Sequence, residues 1–132
     1  MNIIIDTHIF LWLAADLKKV NSKHLEYIKN TDNNIYLSSL SIAEIMIKKS
    51  IGNLEFDGDI VMILDEMGID VLDFDASSAL LLGTLPFHHR DPFDRIIISQ
   101  AISKKYKIIS VDGKFKLYDC ELLNIGGSEV NC

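Results

Sequence analysis

Short apolar runs rich in isoleucine alternate along this chain with longer segments whose apolar positions recur at helical spacing. The pattern predicts a short strand at Asn2–Ile5, a helix from Thr7 to about Ala15 and another over Ser22–Asn30. Thr31-Asp32-Asn33-Asn34 then breaks the chain before a strand at Ile35–Ser38. A helix from Ser41 to about Ser50 ends at Gly52-Asn53, and one over Asp59–Met67 stops at Gly68. A strand at Ile69–Phe74 leads into a helix from Asp75 to about Leu82. The longest helix opens at Asp91-Pro92 and runs to about Tyr106. Strands at Lys107–Val111 and Glu121–Asn124, with a helical turn between them, close the pattern.

Continuous apolar strands are expected where both faces of a sheet are covered. Strands that alternate with helices imply right-handed crossovers and a mostly parallel sheet, hence an α/β class. Such sheets bind ligands beyond the carboxyl ends of their strands, where the strand order reverses. The residues just after each strand therefore carry the functional question.

Composition narrows the class without changing it. A length of 132 residues with 48% hydrophobic residues fits one domain over 1–132. Such a domain buries roughly two thirds of its unfolded surface and needs no metal or disulfide to fold. Cys120 and Cys132 show no zinc spacing and are expected to be inert thiols in a reducing compartment. The start, Met1-Asn2-Ile3-Ile4-Ile5-Asp6, lacks the basic region of a leader peptide. The apolar run Ile9–Ala15 falls short of the ~20 residues a membrane span requires. The expectation is a soluble, cytoplasmic protein with no membrane partner.

Net charge is −6, from 13 basic and 19 acidic residues, which is mildly unfavourable to a nucleic-acid partner. Its distribution matters more. Four acids fall where the topology directs a site, and setting them aside moves the balance from −6 to −2. Asp6 follows the first strand and Asp112 the Ile108–Val111 run. Glu44 is expected in the first turn of the helix after the second strand, and Asp94 in the first turn of the longest helix. All four thus converge on the carboxyl edge.

Each acid also has an ordinary explanation. Asp6 can cap the helix at Thr7, Ser41-x-x-Glu44 has the form of a capping box, Asp91 can cap before Pro92, and Asp112-Gly113 can be a turn. Their joint occurrence shifts the balance. Carboxylates a few ångströms apart repel by ~3 kcal/mol per pair at an effective dielectric near 20, so a cation belongs among them. Oxygen ligands favour Mg²⁺ or Mn²⁺, one ion or two. Such an ion activates water and neutralises phosphoryl oxygens, which points to phosphodiester hydrolysis.

The same residues resemble the PIN-domain family, and within it the VapC-type toxin ribonucleases of bacterial toxin–antitoxin pairs. The matching stretches are Ile3-Ile4-Ile5-Asp6-Thr7-His8 with Leu11-Trp12, and Ser41-Ile42-Ala43-Glu44-Ile45 with Lys48 and Gly52. His89-Arg90-Asp91-Pro92-Phe93-Asp94-Arg95 leading to Ala101, and Asp112 with Phe115 and Tyr118, complete the set. The resemblance implies a three-layer α/β/α fold around a four- or five-stranded parallel sheet. It also implies a Mg²⁺- or Mn²⁺-dependent endoribonuclease acting on single-stranded or loop RNA, a homodimer, and a cognate antitoxin over the site. By motif position Asp6, Glu44, Asp94 and Asp112 are the implied metal-binding and catalytic acids, with Asp112 the most dispensable. Asp91 is the extra acid, with a supporting or capping duty. Where the family often has Thr two residues before the fourth acid, this chain has Ser110, which keeps the hydroxyl.

Thr7 offers a hydroxyl either to the acids or to a helix cap. His8 and His89 are structural histidines or RNA contacts. Arg95 is expected to pair with a local acid before it contacts phosphate, and Trp12 belongs to the core or a dimer interface. Lys48, Lys49 and the later lysines are solvated faces first and RNA contacts second.

Three other classes compete. A receiver-type phosphoacceptor domain needs an Asp ending a middle strand and a Lys late in the sheet; Asp73 and Asp75 flank Phe74 without such a Lys. A haloacid-dehalogenase-type phosphatase needs Asp-x-Asp, where this chain reads Asp6-Thr7-His8. A catalytically silent PIN-like module would use its acids only to dock a basic partner.

Overall fold

The computed structural model describes residues 1–123 and 130–131. Strand β1 (Asn2–Ile5) leads into α1 (Thr7–Ala15), a 3-10 turn (Leu17–Lys19) and α2 (Ser22–Lys29). Then follow β2 (Asn34–Ser38), α3 (Ser39–Ser50), α4 (Ile60–Met67), β3 (Ile69–Leu72) and α5 (Ala76–Leu81). Helix α6 (Pro92–Lys104) precedes β4 (Lys107–Ile109), a 3-10 turn (Gly113–Leu117), β5 (Glu121–Leu122) and β6 (Val130–Asn131). Asn124 and Cys132, placed above in a strand and among the inert thiols, lie outside the described residues.

The sheet order is β3-β2-β1-β4-β5-β6. The first five strands are parallel and β6 runs antiparallel to β5. The order reverses between β1 and β4, so the crevice for a ligand opens beyond Ile5 and Ile109. β3 lies at the sheet edge. Asp73 and Asp75 therefore do not end a middle strand, and Asp75 instead caps α5 through Ser78 N–H and pairs with Lys104.

The alternation of β1 builds both cores. Ile3 and Ile5 pack on one face with Ile9, Phe10, Ile45 and Leu64; Ile4 packs on the other with Ile97, Ile98, Phe115 and Tyr118. All three isoleucines are fully buried, as expected of a central parallel strand between helical layers. Trp12 is half-buried against the first core.

Three of the boundaries that differ from the pattern-based expectation bear on the site. Helix α3 starts at Ser39 because Ser38 closes β2 and its Oγ accepts the N–H of Leu40. Ser41 and Glu44 are thus no capping box, and Glu44 lies in the second turn rather than the first. Strand β3 ends at Leu72 and β4 at Ile109, so Phe74 and Val111 fall in loops. Among the described residues, no helix is long and apolar enough to cross a membrane. Cys120 is buried, its thiol directed at the Phe115 carbonyl.

Candidate active site

The carboxyl ends of β1 and β4 meet at their first polar residues. Asp6 is the N-cap of α1, and its Oδ1 accepts the N–H of Ile9 at 2.9 Å. Its Oδ2 accepts a 2.6 Å hydrogen bond from the Ser110 hydroxyl. The capping and site explanations are therefore compatible, because each uses a different oxygen. Asp112 behaves alike: Oδ1 caps the following 3-10 turn through Lys114 N–H, while Oδ2 receives His89 Nε2 at 2.9 Å.

Glu44 is buried and reaches the same crevice from α3. Thr7 Oγ1 donates to its Oε1 at 2.8 Å and lies 2.9 Å from the Ser41 hydroxyl. Lys48, one turn on, donates to Oε2 at 2.8 Å, and that bond raises the lysine pKa. Lys48, expected on a solvated face, is thus part of the acid cluster.

Helix α6 delivers Asp94. Asp91 caps that helix through Phe93 and Asp94 N–H, with Pro92 at its first position. Asp94 sits one turn in, 9% exposed. Burial, and then the charges of Asp91, Asp6, Glu44 and Asp112, push its carboxyl up to about 8. Asp94 thus feels all three of the other acids. Burial also pushes Asp6 up, outweighing the lowering by Ser110 and the Ile9 N–H. Asp112 goes the other way. Partial burial pushes it up, but the Lys114 N–H and His89 outweigh that and hold it below the usual carboxylate range.

The tightest cluster among the described residues is His89, Asp94 and Asp112, whose potential ligand atoms lie within 4.8 Å of one another. His89, by sequence a structural histidine or an RNA contact, is buried in the 85–91 loop. Its position depends on Tyr118, whose hydroxyl accepts the N–H groups of His88 at 2.9 Å and His89 at 2.8 Å. Arg95 differs from expectation: among the described residues it pairs with no acid but donates to the carbonyls of Pro86 and Leu85 and lies over the Phe87 ring. It braces the same loop. His8 is exposed beside Asp6 and lowers its pKa slightly.

Carboxylates flanked by hydroxyls, at a parallel-sheet switch point and with one acid forced toward protonation, are a donor set that suits a hard divalent cation. Asp6, Glu44 and Asp94 would hold it, with Asp112 at its margin.

Similarity to known proteins agrees with this architecture. In the solved VapBC2 complex of Rickettsia felis bound to a DNA fragment from its promoter, the matching chain superposes with TM-score 0.68 at 21% identity. The match covers 94% of this chain and 98% of that one. FitAcB from Neisseria gonorrhoeae gives 0.64 at 17% identity, covering 96% and 99%. VapBC-1 from nontypeable Haemophilus influenzae gives 0.65 at 16%, covering 96% and 99%. Sequence comparison with curated proteins gives no match. The family model for the PIN domain matches residues 3–119. The chain belongs to the PIN domain family.

Proposed function

We propose that this protein is a metal-dependent endoribonuclease, the VapC-type toxin of a toxin–antitoxin pair. The observation that carries the reading is the arrangement of Asp6, Glu44 and Asp94 at the switch point, with Asp94 pushed up to about 8 by burial and by its acidic neighbours. A Mg²⁺ or Mn²⁺ ion there, one or two, would relieve that repulsion, lower the pKa of water and neutralise charge on phosphoryl oxygens.

The chain's own residues supply the rest. Ser110 and the Ile9 N–H orient Asp6, Thr7 orients Glu44, and the Asp91 cap presents Asp94 at the helix end. Lys48 compensates negative charge beside Glu44 and can turn to an incoming phosphate. Water is the nucleophile and RNA, single-stranded or in loops, the substrate. Cleavage leaves a 5′-phosphate and a 3′-hydroxyl.

The similar structures named VapBC and FitAB support the reading of an antitoxin partner. A cognate antitoxin would cover this site, and the toxin would form a homodimer in the cytoplasm.

The test is cleavage of RNA by purified protein with Mg²⁺, with EDTA, and with Asp6→Asn. Mg²⁺-dependent products with 5′-phosphates, lost in the variant, are expected. A 2′,3′-cyclic phosphate, or full activity in Asp6→Asn, would overturn the mechanism.

A further inference from the structure

His89 brings an imidazole to the edge of an oxygen cluster, and its two ring nitrogens face different chemistry. The backbone N–H of Asp91 donates to Nδ1 at 3.1 Å. Nε2 lies 2.9 Å from Oδ2 of Asp112, its hydrogen-bond partner, and 2.9 Å from Oδ2 of Asp94. The Phe115 ring meets the imidazole edge-on, with centroids 6.0 Å apart. A ring nitrogen that accepts an N–H hydrogen bond carries no proton, so the ring hydrogen sits on Nε2. A metal ion requires a lone pair on the nitrogen it binds. Nδ1 points its lone pair at a backbone amide, and Nε2 holds its hydrogen toward Asp112. Proximity alone would make His89 a ligand; its hydrogen bonds assign it another task.

We propose that His89 is a positioning residue: a tautomer-locked strap that ties Asp112, after β4, to the N-terminus of α6. This rests on the reading that the adjoining acids hold a divalent ion. The strap sets the spacing between Asp94 and Asp112 and leaves coordination to oxygen alone. The local sequence builds it. The two-residue step from His89 to Asp91 lets the amide reach its neighbour's ring, and the same Asp91 caps α6 through its Oδ1. Tyr118 holds the backbone of the strap from the other side.

The test reads the ring hydrogen directly. Long-range ¹H–¹⁵N spectra of histidine-labelled protein, with His89 assigned by its loss in His89→Gln, are expected to show Nδ1 unprotonated and Nε2 protonated, with and without Mg²⁺. A hydrogen on Nδ1, or an Nε2 that loses its hydrogen when Mg²⁺ is added, would overturn the strap and make His89 a ligand. In calorimetry, His89→Ala is expected to weaken Mg²⁺ binding roughly 10- to 100-fold, the usual range for groups that orient ligands. His89→Gln, whose side-chain amide still donates to Asp112, is expected to recover most of that loss. Unchanged Mg²⁺ affinity in His89→Ala would also refute the strap. Absence of Mg²⁺ binding by the unaltered protein would sink the nuclease reading, while the ring hydrogen would still decide the strap.

Discussion

Ser110 Oγ donates a 2.6 Å hydrogen bond to Asp6 Oδ2, joining residues 104 positions apart at the ends of adjacent strands. Both groups are buried, and the acceptor is a carboxylate, so this bond belongs to the stronger class, about 1.5–3 kcal/mol. It also fixes which way the second Asp6 oxygen faces. Ser110→Ala is therefore expected to weaken Mg²⁺ binding by about tenfold, whereas Ser110→Thr keeps the hydroxyl and stays close to the original. Isothermal titration of the two variants checks this; equal loss in both would place the effect in packing instead.

Asp94 makes stability and metal binding depend on pH in a defined direction. Its folded pKa, about 8, lies well above 3.8, the ordinary value for an aspartate carboxyl. Between those values the metal-free folded chain holds a proton that the unfolded chain has lost. The stability this group contributes is complete below about pH 3.8 and disappears as pH rises through about 8, a span on the order of several kcal/mol. Asp94→Asn is expected to flatten that dependence, giving a metal-free protein more stable than the original at pH 8 by urea denaturation. Mg²⁺ must displace the same proton. Its affinity is expected to fall about tenfold per unit as pH drops below 8.

Tyr118 supports the site from beneath. Tyr118→Phe removes the acceptor for two backbone N–H groups of the His88–His89 segment. Leaving such donors unsatisfied costs about 1–3 kcal/mol, since the hydroxyl is shielded from water. Chemical denaturation is expected to show that loss, together with faster amide exchange at His89.

Lys105 ends α6 in the left-handed region, with φ 60. A side chain there is strained by about 1–2 kcal/mol, and glycine is the usual occupant. Glycine also adds unfolded-state entropy, so Lys105→Gly is expected to raise stability by a net ~0.5–1 kcal/mol without touching the acids. A thermal melt decides it. A loss of stability would mean that the lysine side chain contributes more than its backbone costs.

The parallel sheet and the convergence of Asp6, Asp94 and Asp112 were legible in the sequence, because isoleucine-rich strands and caps at Asp6 and Asp91-Pro92 are local signals. Glu44 was found, but one turn early. Ser38 and Ser41 are equally good caps by type, and only the end of β2 decides between them. The role of Lys48 needed the helix phase that follows from that choice. His89 carried no periodic signal at all. Its loop is held by Tyr118, which lies 29 positions away, and by Arg95 from α6, both tertiary contacts. The 3-10 turn at Leu17–Lys19 and the antiparallel β6 were likewise too short to leave a pattern.

A single cation site among these acids has a crystallographic signature. It is read from crystals of the protein grown or soaked with Mn²⁺ and measured at the manganese absorption edge. An anomalous peak bounded by carboxylate oxygens of Asp6, Glu44 and Asp94 is expected, absent in Asp6→Asn. A crevice without such a peak at millimolar Mn²⁺, or a peak elsewhere that survives Asp6→Asn, would contradict it.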